Sequence, residues 1–436
     1  MKKPIEFNTL SVSWKRKIKK KKHGWIAICL MTAMFLQLTA CSHAPAPSEA
    51  ETGDTQLTTT DTFVQDETDV STSDEAKKDR DALPDVEEEI FGFTLKSVEP
   101  YGPLNARILC FDHAYSGAQL CYIKNDDTNR AFTVAYRTPL VDETDSNHIF
   151  EHAILTSSQK YPSNNLFFDM VGKTYNTYVN AFTYSSFTMF PFGSQSEEQL
   201  LLGADAYLSC MVSPGLLKDP QIFKREGLRY MLYDVDEPIS MGGTVFSEDM
   251  GYMTSISMEG ARNIVQGLYP GEYAANYIGR AHANYQDLTF EHVAETHERC
   301  YRFDNSLLLL YGDLDYRNFL EFIDREYLSK AEKRGTDLSA YDDPVTAPGY
   351  VEEVVYAPAY EGDSAEDASV IYYAMDLDGQ EWETLAEYEL LSVMLSSDSS
   401  VFHENLKEAG LTAPTFADIS MDTAKPFFIF GMVYAN

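Results

Sequence analysis

Apolar and polar residues alternate along "FGFTLKSV" (91–98), "NARILCF" (105–111), "QLCYIKN" (119–125) and "AFTVAYRT" (131–138). A period of two turns one side of each segment toward a core and predicts four strands. At "SNHIFEHAILTSS" (146–158) the period lengthens to that of a helix. Helical spacing returns at "LFFDMVGKTY" (166–175), "SEEQLLLGADAYLSCMV" (196–212), "PQIFKREGLRYML" (220–232), "TVFSEDMGYMTSISM" (244–258) and "FEHVAETHERC" (290–300). Between these, "TYVNAFT" (177–183) and "FTMFPFGS" (187–194) predict further strands. "NSLLLLYGDLD" (305–315) predicts a buried strand, followed by the helix "YRNFLEFIDREYL" (316–328). The expected class is α+β, with a mixed or antiparallel sheet packed by helices.

Upstream of residue 90 this patterning is absent. A basic stretch, "KRKIKKKKHG", leads into the short apolar run "WIAICLMTAMFLQL" and then "LTAC", which ends at Cys41. The run is too short to span a bilayer comfortably and predicts a signal peptide over 1–40. Its last four residues resemble the lipobox of bacterial lipoproteins. That resemblance implies lipidation of Cys41, export, and anchoring at the bacterial cell membrane surface through the N-terminal lipid. The alternative is an uncleaved anchor beside a chance cysteine, which also exports the bulk of the chain. Residues 41–89 are rich in Ser, Thr, Asp, Glu and Pro. Such a segment buries too little apolar surface to offset its ordering entropy and is expected to be a disordered acidic tether.

Length and composition fit a globular protein with room for two ordinary domains, at 436 residues and 44% hydrophobic content. The net charge is −34, and without residues 1–40, which carry nine Lys or Arg and one Glu, it becomes −42. A surface this acidic argues against nucleic acid as a partner. It is compatible with cationic peptides, although acidic surfaces also serve solubility alone. Beyond Cys29 and Cys41 there remain Cys110, Cys121, Cys210 and Cys300, without zinc-ribbon spacing and too sparse for a disulfide scaffold. Cys110 and Cys121 fall on strands expected to pair, which leaves open a cross-strand disulfide or two buried thiols.

The candidate chemistry lies in "HIFEHAIL". On a helix, His148 and His152 stand one above the other, and Glu151 projects beside them. Zinc takes two neutral imidazoles from one helical face and a third protein ligand, leaving a place for water. A carboxylate that is not itself a ligand can then act as general base, and Glu151 is placed for it. The other histidines support no site. His292 and His297 are five apart, about 140° around a helix, and are expected to be solvated. His43, His113, His282 and His403 stand alone.

The stretch "NHIFEHAILTSSQKYPSNNLFFDMVGKTYNTYVNAFTYSSFTMFPFGSQS" is similar to the active-site region of the pitrilysin/insulinase zinc metallopeptidases, in their presequence-protease branch. There the inverted motif H-x-x-E-H is followed by a "KYP" turn, a helix and an "NAFT" edge strand. The resemblance implies a zinc-dependent metalloendopeptidase, with one Zn2+ per chain, acting on short unstructured peptides. It also implies Glu248, in "VFSEDMG", as the third ligand, with Asp249 the weaker candidate on the same helix. Glu226, in "KREGLRY", corresponds to a glutamate that orients a ligand; an exposed helical glutamate is the alternative. Asn180, Ala181 and Phe182 correspond to the edge strand that holds the peptide by its backbone, although Phe182 also suits a core.

The same resemblance divides the folded part into a catalytic α/β unit over 90–340 and the start of a second, non-catalytic α/β unit over 341–436. The last segment, "KPFFIFGMVYAN", is an apolar strand with no helix after it. That ending implies a fragment, a truncated product or a split gene, with a complementary C-terminal half as a partner. "LTSS" replaces the "LCGS" common in relatives, which removes a thiol but no proposed ligand. The rival expectation is a lipid-anchored peptide-binding module, or an inactive fragment with a vestigial zinc site.

Overall fold

The computed structural model describes residues 82–141, 144–253, 256–270, 287–341, 346–356, 369–411, 414–421 and 425–435. The expected signal peptide, Cys41, His43, His282 and nearly all of the tether lie outside them. In chain order the strands and longer helices are β1 (Glu89–Ile90), β2 (Phe93–Tyr101), β3 (Ala106–His113), β4 (Gln119–Lys124), β5 (Arg130–Arg137), α1 (Ser146–Ile154), α2 (Leu166–Lys173), β6 (Tyr178–Val179), β7 (Phe182–Thr183), β8 (Phe187–Ser194) and α3 (Glu197–Val212). They continue with α4 (Pro220–Glu226), β9 (Arg229–Met231), β10 (Ser240–Gly242), α5 (Thr244–Met253), α6 (Ile256–Leu268), α7 (Phe290–Cys300), β11 (Ser306–Tyr311), α8 (Tyr316–Glu326), β12 (Ser369–Asp376), α9 (Trp382–Ser396), α10 (Val401–Glu408), β13 (Thr415–Ser420) and β14 (Phe427–Ala435).

Nine strands make the first sheet, in the order β1-β2-β3-β4-β11-β5-β8-β6, with β7 also paired to β8. All pairs are antiparallel except β4 with β11. The late strand β11 enters between β4 and β5 and buries Leu308 and Leu310, so the middle of the sheet is completed by a segment that follows the site helices in the chain. Helix α8 buries Tyr316, Phe319, Leu320 and Ile323, and Phe319 meets Phe132 of β5 with ring centroids 5.5 Å apart. Each such side chain removed from water contributes about 1.5–3 kcal/mol. On β3 and β4, Cys110 and Cys121 are direct partners across the ladder, and both thiols are free.

Helix starts follow the sequence closely. Asn165, Ser196, Thr289 and Asp315 each accept a hydrogen bond from the backbone N–H three residues on. Such caps are worth about 1 kcal/mol apiece. The helix expected over 220–232 ends at Glu226: Gly227 stops it, and the next residues form β9, which pairs with β10. The segment expected as one strand over 177–183 is two short ones, interrupted at Asn180 and Ala181.

A second sheet has the order β12-β14-β13. Helix α9 packs on it, and so does α6 from earlier in the chain. Ala261, Val265 and Tyr269 are buried against Phe427 and Ile429. Gly260 lets α6 approach, since a Cβ there would come 2.3 Å from the Tyr372 ring. The sequence stretch 90–340 therefore contributes one helix to the second sheet.

Candidate functional site

Helix α1 is buried on nearly every side. Ser146, Asn147, Ile149, Phe150, Glu151, Ala153 and Ile154 are all buried, and only His148 and His152 reach partly toward solvent. Phe150 packs on Tyr301 of the segment after α7, with ring centroids 4.4 Å apart. The Asn147 amide donates to the Thr138 carbonyl at 2.8 Å and ties the start of the helix to the end of β5. A helix fixed this way leaves its two histidines one orientation, with ring centroids 5.0 Å apart.

Three of the expected ligands converge. His148 Nε2 and His152 Nε2 lie 3.6 Å and 3.5 Å from Glu248 Oε2 on α5. Donors about 2.0–2.2 Å from one ion in tetrahedral array stand about 3.4 Å from one another, so the spacing suits a small tetrahedral cation. Asp249 is turned toward the other side of His148, with Oδ1 4.0 Å from Nδ1. Glu226 is buried, which removes the exposed alternative. Its Oε2 lies 4.0 Å from His152 Nδ1, while Oε1 accepts from Arg225 Nε at 2.6 Å.

Glu151 is buried, and its Oε2 accepts from the Thr183 hydroxyl at 3.0 Å. Burial raises its carboxyl above the ordinary range, while His148, His152 and the Thr183 hydroxyl pull the other way. Burial also disfavours the charged form of His148, but Asp145 at 3.2 Å overrides it, helped by Glu151 and Asp249, and lifts that ring to about 9. The cluster is thus an excess of carboxylates around two imidazoles, an environment that favours a cation.

The 178–183 segment is at the sheet edge, paired to β8 on one side. Tyr207 donates to the Asn180 carbonyl at 2.9 Å, and the Ala181 N–H donates to the Asn180 side chain at 2.9 Å. Phe182 is half-buried, stacked on Tyr184 at 6.1 Å rather than sealed in the core. Its neighbour Thr183 links this edge to Glu151.

Three contributors escaped the sequence reading. Asp145 and Thr183 bond to motif residues and carry no motif of their own. Gly243 was signalled only by "GG" before α5: a Cβ there would fall 1.6 Å from the Gly227 carbonyl oxygen. That contact brings the residue after Glu226 against the start of the helix bearing Glu248. Conversely, the pair on α7 is not simply solvated. His297 Nε2 hydrogen-bonds the Met211 carbonyl at 2.7 Å and stacks on Tyr301, and both His297 and His292 are half-buried. His113 is buried, bonded to Ser116 and Asp324.

Comparison with known proteins adds a second line. Residues 287–435 match the family described as the peptidase M16 inactive domain, a stretch that begins downstream of His148, His152 and Glu248. The chain is 28% identical over 341 residues to protein HypA of Clostridium perfringens, covering 77% of this chain and 35% of that protein. It is 32% identical over 252 residues to presequence protease 1, chloroplastic/mitochondrial, of Arabidopsis thaliana, covering 57% and 23%. Its fold is similar to that of crystalline pitrilysin, with a TM-score of 0.54 at 13% identity over 80% of this chain and 36% of that one. The chain thus spans 23% to 35% of the length of these two curated relatives.

Proposed function

We propose, for a chain that belongs to the pitrilysin/insulinase family and is presequence-protease-like, that it is a zinc metalloendopeptidase acting on short unstructured peptides. The observation that carries the reading is the meeting of His148 Nε2 and His152 Nε2 at Glu248 Oε2, with Glu151 on the same helix turn. These three atoms would hold the zinc. Zinc bound there supplies Lewis acidity and lowers the pKa of its water to about 7. Glu151 takes the proton from the attacking water at its carboxylate and returns it to the leaving amine. The Thr183 hydroxyl holds Oε2 of that carboxylate. Glu226, fixed by Arg225, orients His152.

An extended peptide is held along the edge at Asn180, Ala181 and Phe182, with the Ala181 N–H released from the Asn180 side chain to pair with it, a mode that recognises backbone rather than sequence. Folded proteins do not offer a free strand, which is why the substrate class is unstructured peptides. The acidic surface favours cationic ones.

The test compares the parent chain with Glu151→Gln for zinc content, peptide affinity and hydrolysis, each with and without the rest of a full-length relative supplied. Expected is an unchanged zinc content, retained peptide binding, and a loss of about two to four powers of ten in hydrolysis. Equal turnover in both chains removes Glu151 from the mechanism. Peptide binding without turnover in either establishes a binding module instead.

A further inference from the structure

We infer that Asp145 is a positioning residue, whose carboxylate takes the Nδ1–H of His148 and turns Nε2 of that ring toward Glu248 and His152. The inference deepens the peptidase reading and rests on it for the identity of the metal.

Asp145 occupies the position just before α1, where an aspartate ordinarily accepts an N–H of the first helical turn. It makes no such cap. Its backbone is left-handed, with φ at 57°, a conformation that glycine adopts without strain and side chains disfavour. Aspartate tolerates that conformation better than most side chains, but neither the absent cap nor the backbone calls for a carboxylate rather than glycine or asparagine here. What the side chain does instead is reach His148: Oδ2 lies 3.2 Å from Nδ1, and the side chain is only 1% exposed.

An ionised carboxylate can only accept, so the ring nitrogen facing it carries the proton. This decides between two clusters that share His148. One uses Nε2, with His152 and Glu248; the other would use Nδ1, with Asp145 and Asp249. A nitrogen that donates to Asp145 has no lone pair for a metal, so the Nε2 cluster is the one the geometry supports. His152 has the same polarity, with Glu226 on its Nδ1 side and Glu248 on its Nε2 side. Each ring thus has an acid behind it and shares one acid in front. Acids placed behind metal-binding histidines fix the tautomer and raise ligand basicity.

The parent, Asp145→Gly and Asp145→Asn are compared by zinc competition against a chromogenic chelator, by thermal unfolding without metal, and by nitrogen-15 spectra of the His148 ring in metal-free alkaline buffer. Glycine suits the left-handed backbone, so Asp145→Gly is expected to unfold at the same temperature as the parent or higher. Its zinc affinity should nevertheless fall roughly 10- to 100-fold. Asparagine keeps an accepting oxygen and tolerates the backbone, so Asp145→Asn should recover most of that loss. A merely structural role predicts that affinity follows stability. Asp145→Gly binding zinc as tightly as the parent overturns the proposal, as does an asparagine variant no better than the glycine one. If the parent itself holds no zinc, the peptidase reading fails, and the ring spectrum decides alone. Loss of the Nδ1 proton in Asp145→Gly then supports the positioning role, and an unchanged tautomer overturns it.

Discussion

Helices α1 and α7 pack against each other, and each carries two histidines. On α1 they are four residues apart, on one face, and both present Nε2 to the same glutamate oxygen. On α7 they are five apart, about 140° around the axis, and cannot meet. His297 instead spends its Nε2 on the carbonyl of Met211 and its ring on Tyr301. One residue of spacing separates a pair that can hold a cation from a pair that serves packing. The surroundings follow the same division, since acids gather behind and in front of the α1 rings, whereas His297 lies among Phe150 and Tyr301.

The sharpest way to break this contrast is to remove one histidine from each helix. His152→Ala should lose bound zinc to background and hydrolysis with it. His297→Ala should keep zinc at parent stoichiometry while losing about 1–3 kcal/mol of stability, because the Met211 carbonyl is left without its partner. Metal analysis and denaturant unfolding of both variants check this; an empty site in His297→Ala would mean that the two pairs are not separable.

A second variant asks whether the placement of Glu248 depends on backbone contact. Gly243→Ala puts a Cβ into the Gly227 carbonyl, so the start of α5 must shift. A stability loss of about 1–3 kcal/mol is expected, together with weaker zinc binding measured by chelator competition. Unchanged affinity would show that Glu248 is positioned by other contacts. Smaller still is Thr183→Val, nearly the same shape without the hydroxyl. Its expected effect is about a tenfold drop in hydrolysis, the worth of one hydrogen bond to a charged group, with zinc content unchanged.

The smallest expected effect is in pH. Burial lowers the pKa of His297, against the Met211 hydrogen bond, and lowers that of His113, against Asp324. In each case the unfolded chain takes up its proton first as pH falls. The stability these residues carry is therefore whole above the ordinary histidine pKa of about 6.5 and declines below it. Urea unfolding at pH 7.5 and pH 5 reads this share against the opposite contribution of His148 and Glu151, whose raised pKa values add stability as pH falls, and His113→Gln should lose less stability than the parent between the two pH values. An unchanged slope would mean that other groups set the acid limit.

Part of the first sheet was legible because strands such as β5 bury alternate residues and so write a period of two into the sequence, whereas β4, β8 and β11 stand out as short apolar runs, the first two buried on both faces. β3, β4, β5, β8 and β11 all fall at their expected segments. Helix α7 matches its expected span to the residue, since Thr289 caps its start. Two segments were misjudged where local pattern and tertiary pairing disagree. The helical period of 220–232 continues past Glu226, but Gly227 and the pairing of β9 with β10 end the helix. The edge strand is broken at Asn180 and Ala181, where Tyr207 and the Asn180 side chain take the backbone groups that a continuous ladder would use.

By itself the sequence determined the face shared by His148, His152 and Glu151, because helical geometry fixes neighbours three and four residues apart without reference to the rest of the chain. It determined the buried face of β5 for the same reason, a periodicity local to the strand. Resemblance, not spacing, pointed to Glu248. What only the tertiary structure decided is how that glutamate arrives, through α5 held at the close approach of Gly243 to Gly227. It also placed an acid on the Nδ1 side of each histidine, Asp145 at His148 and Glu226 at His152, and joined the edge strand to the proposed base through Thr183. These contacts join residues whose partners are set by backbone turns and by the packing of separate elements. Hydrophobic periodicity records which side of an element is buried; it carries no record of what lies across the interface.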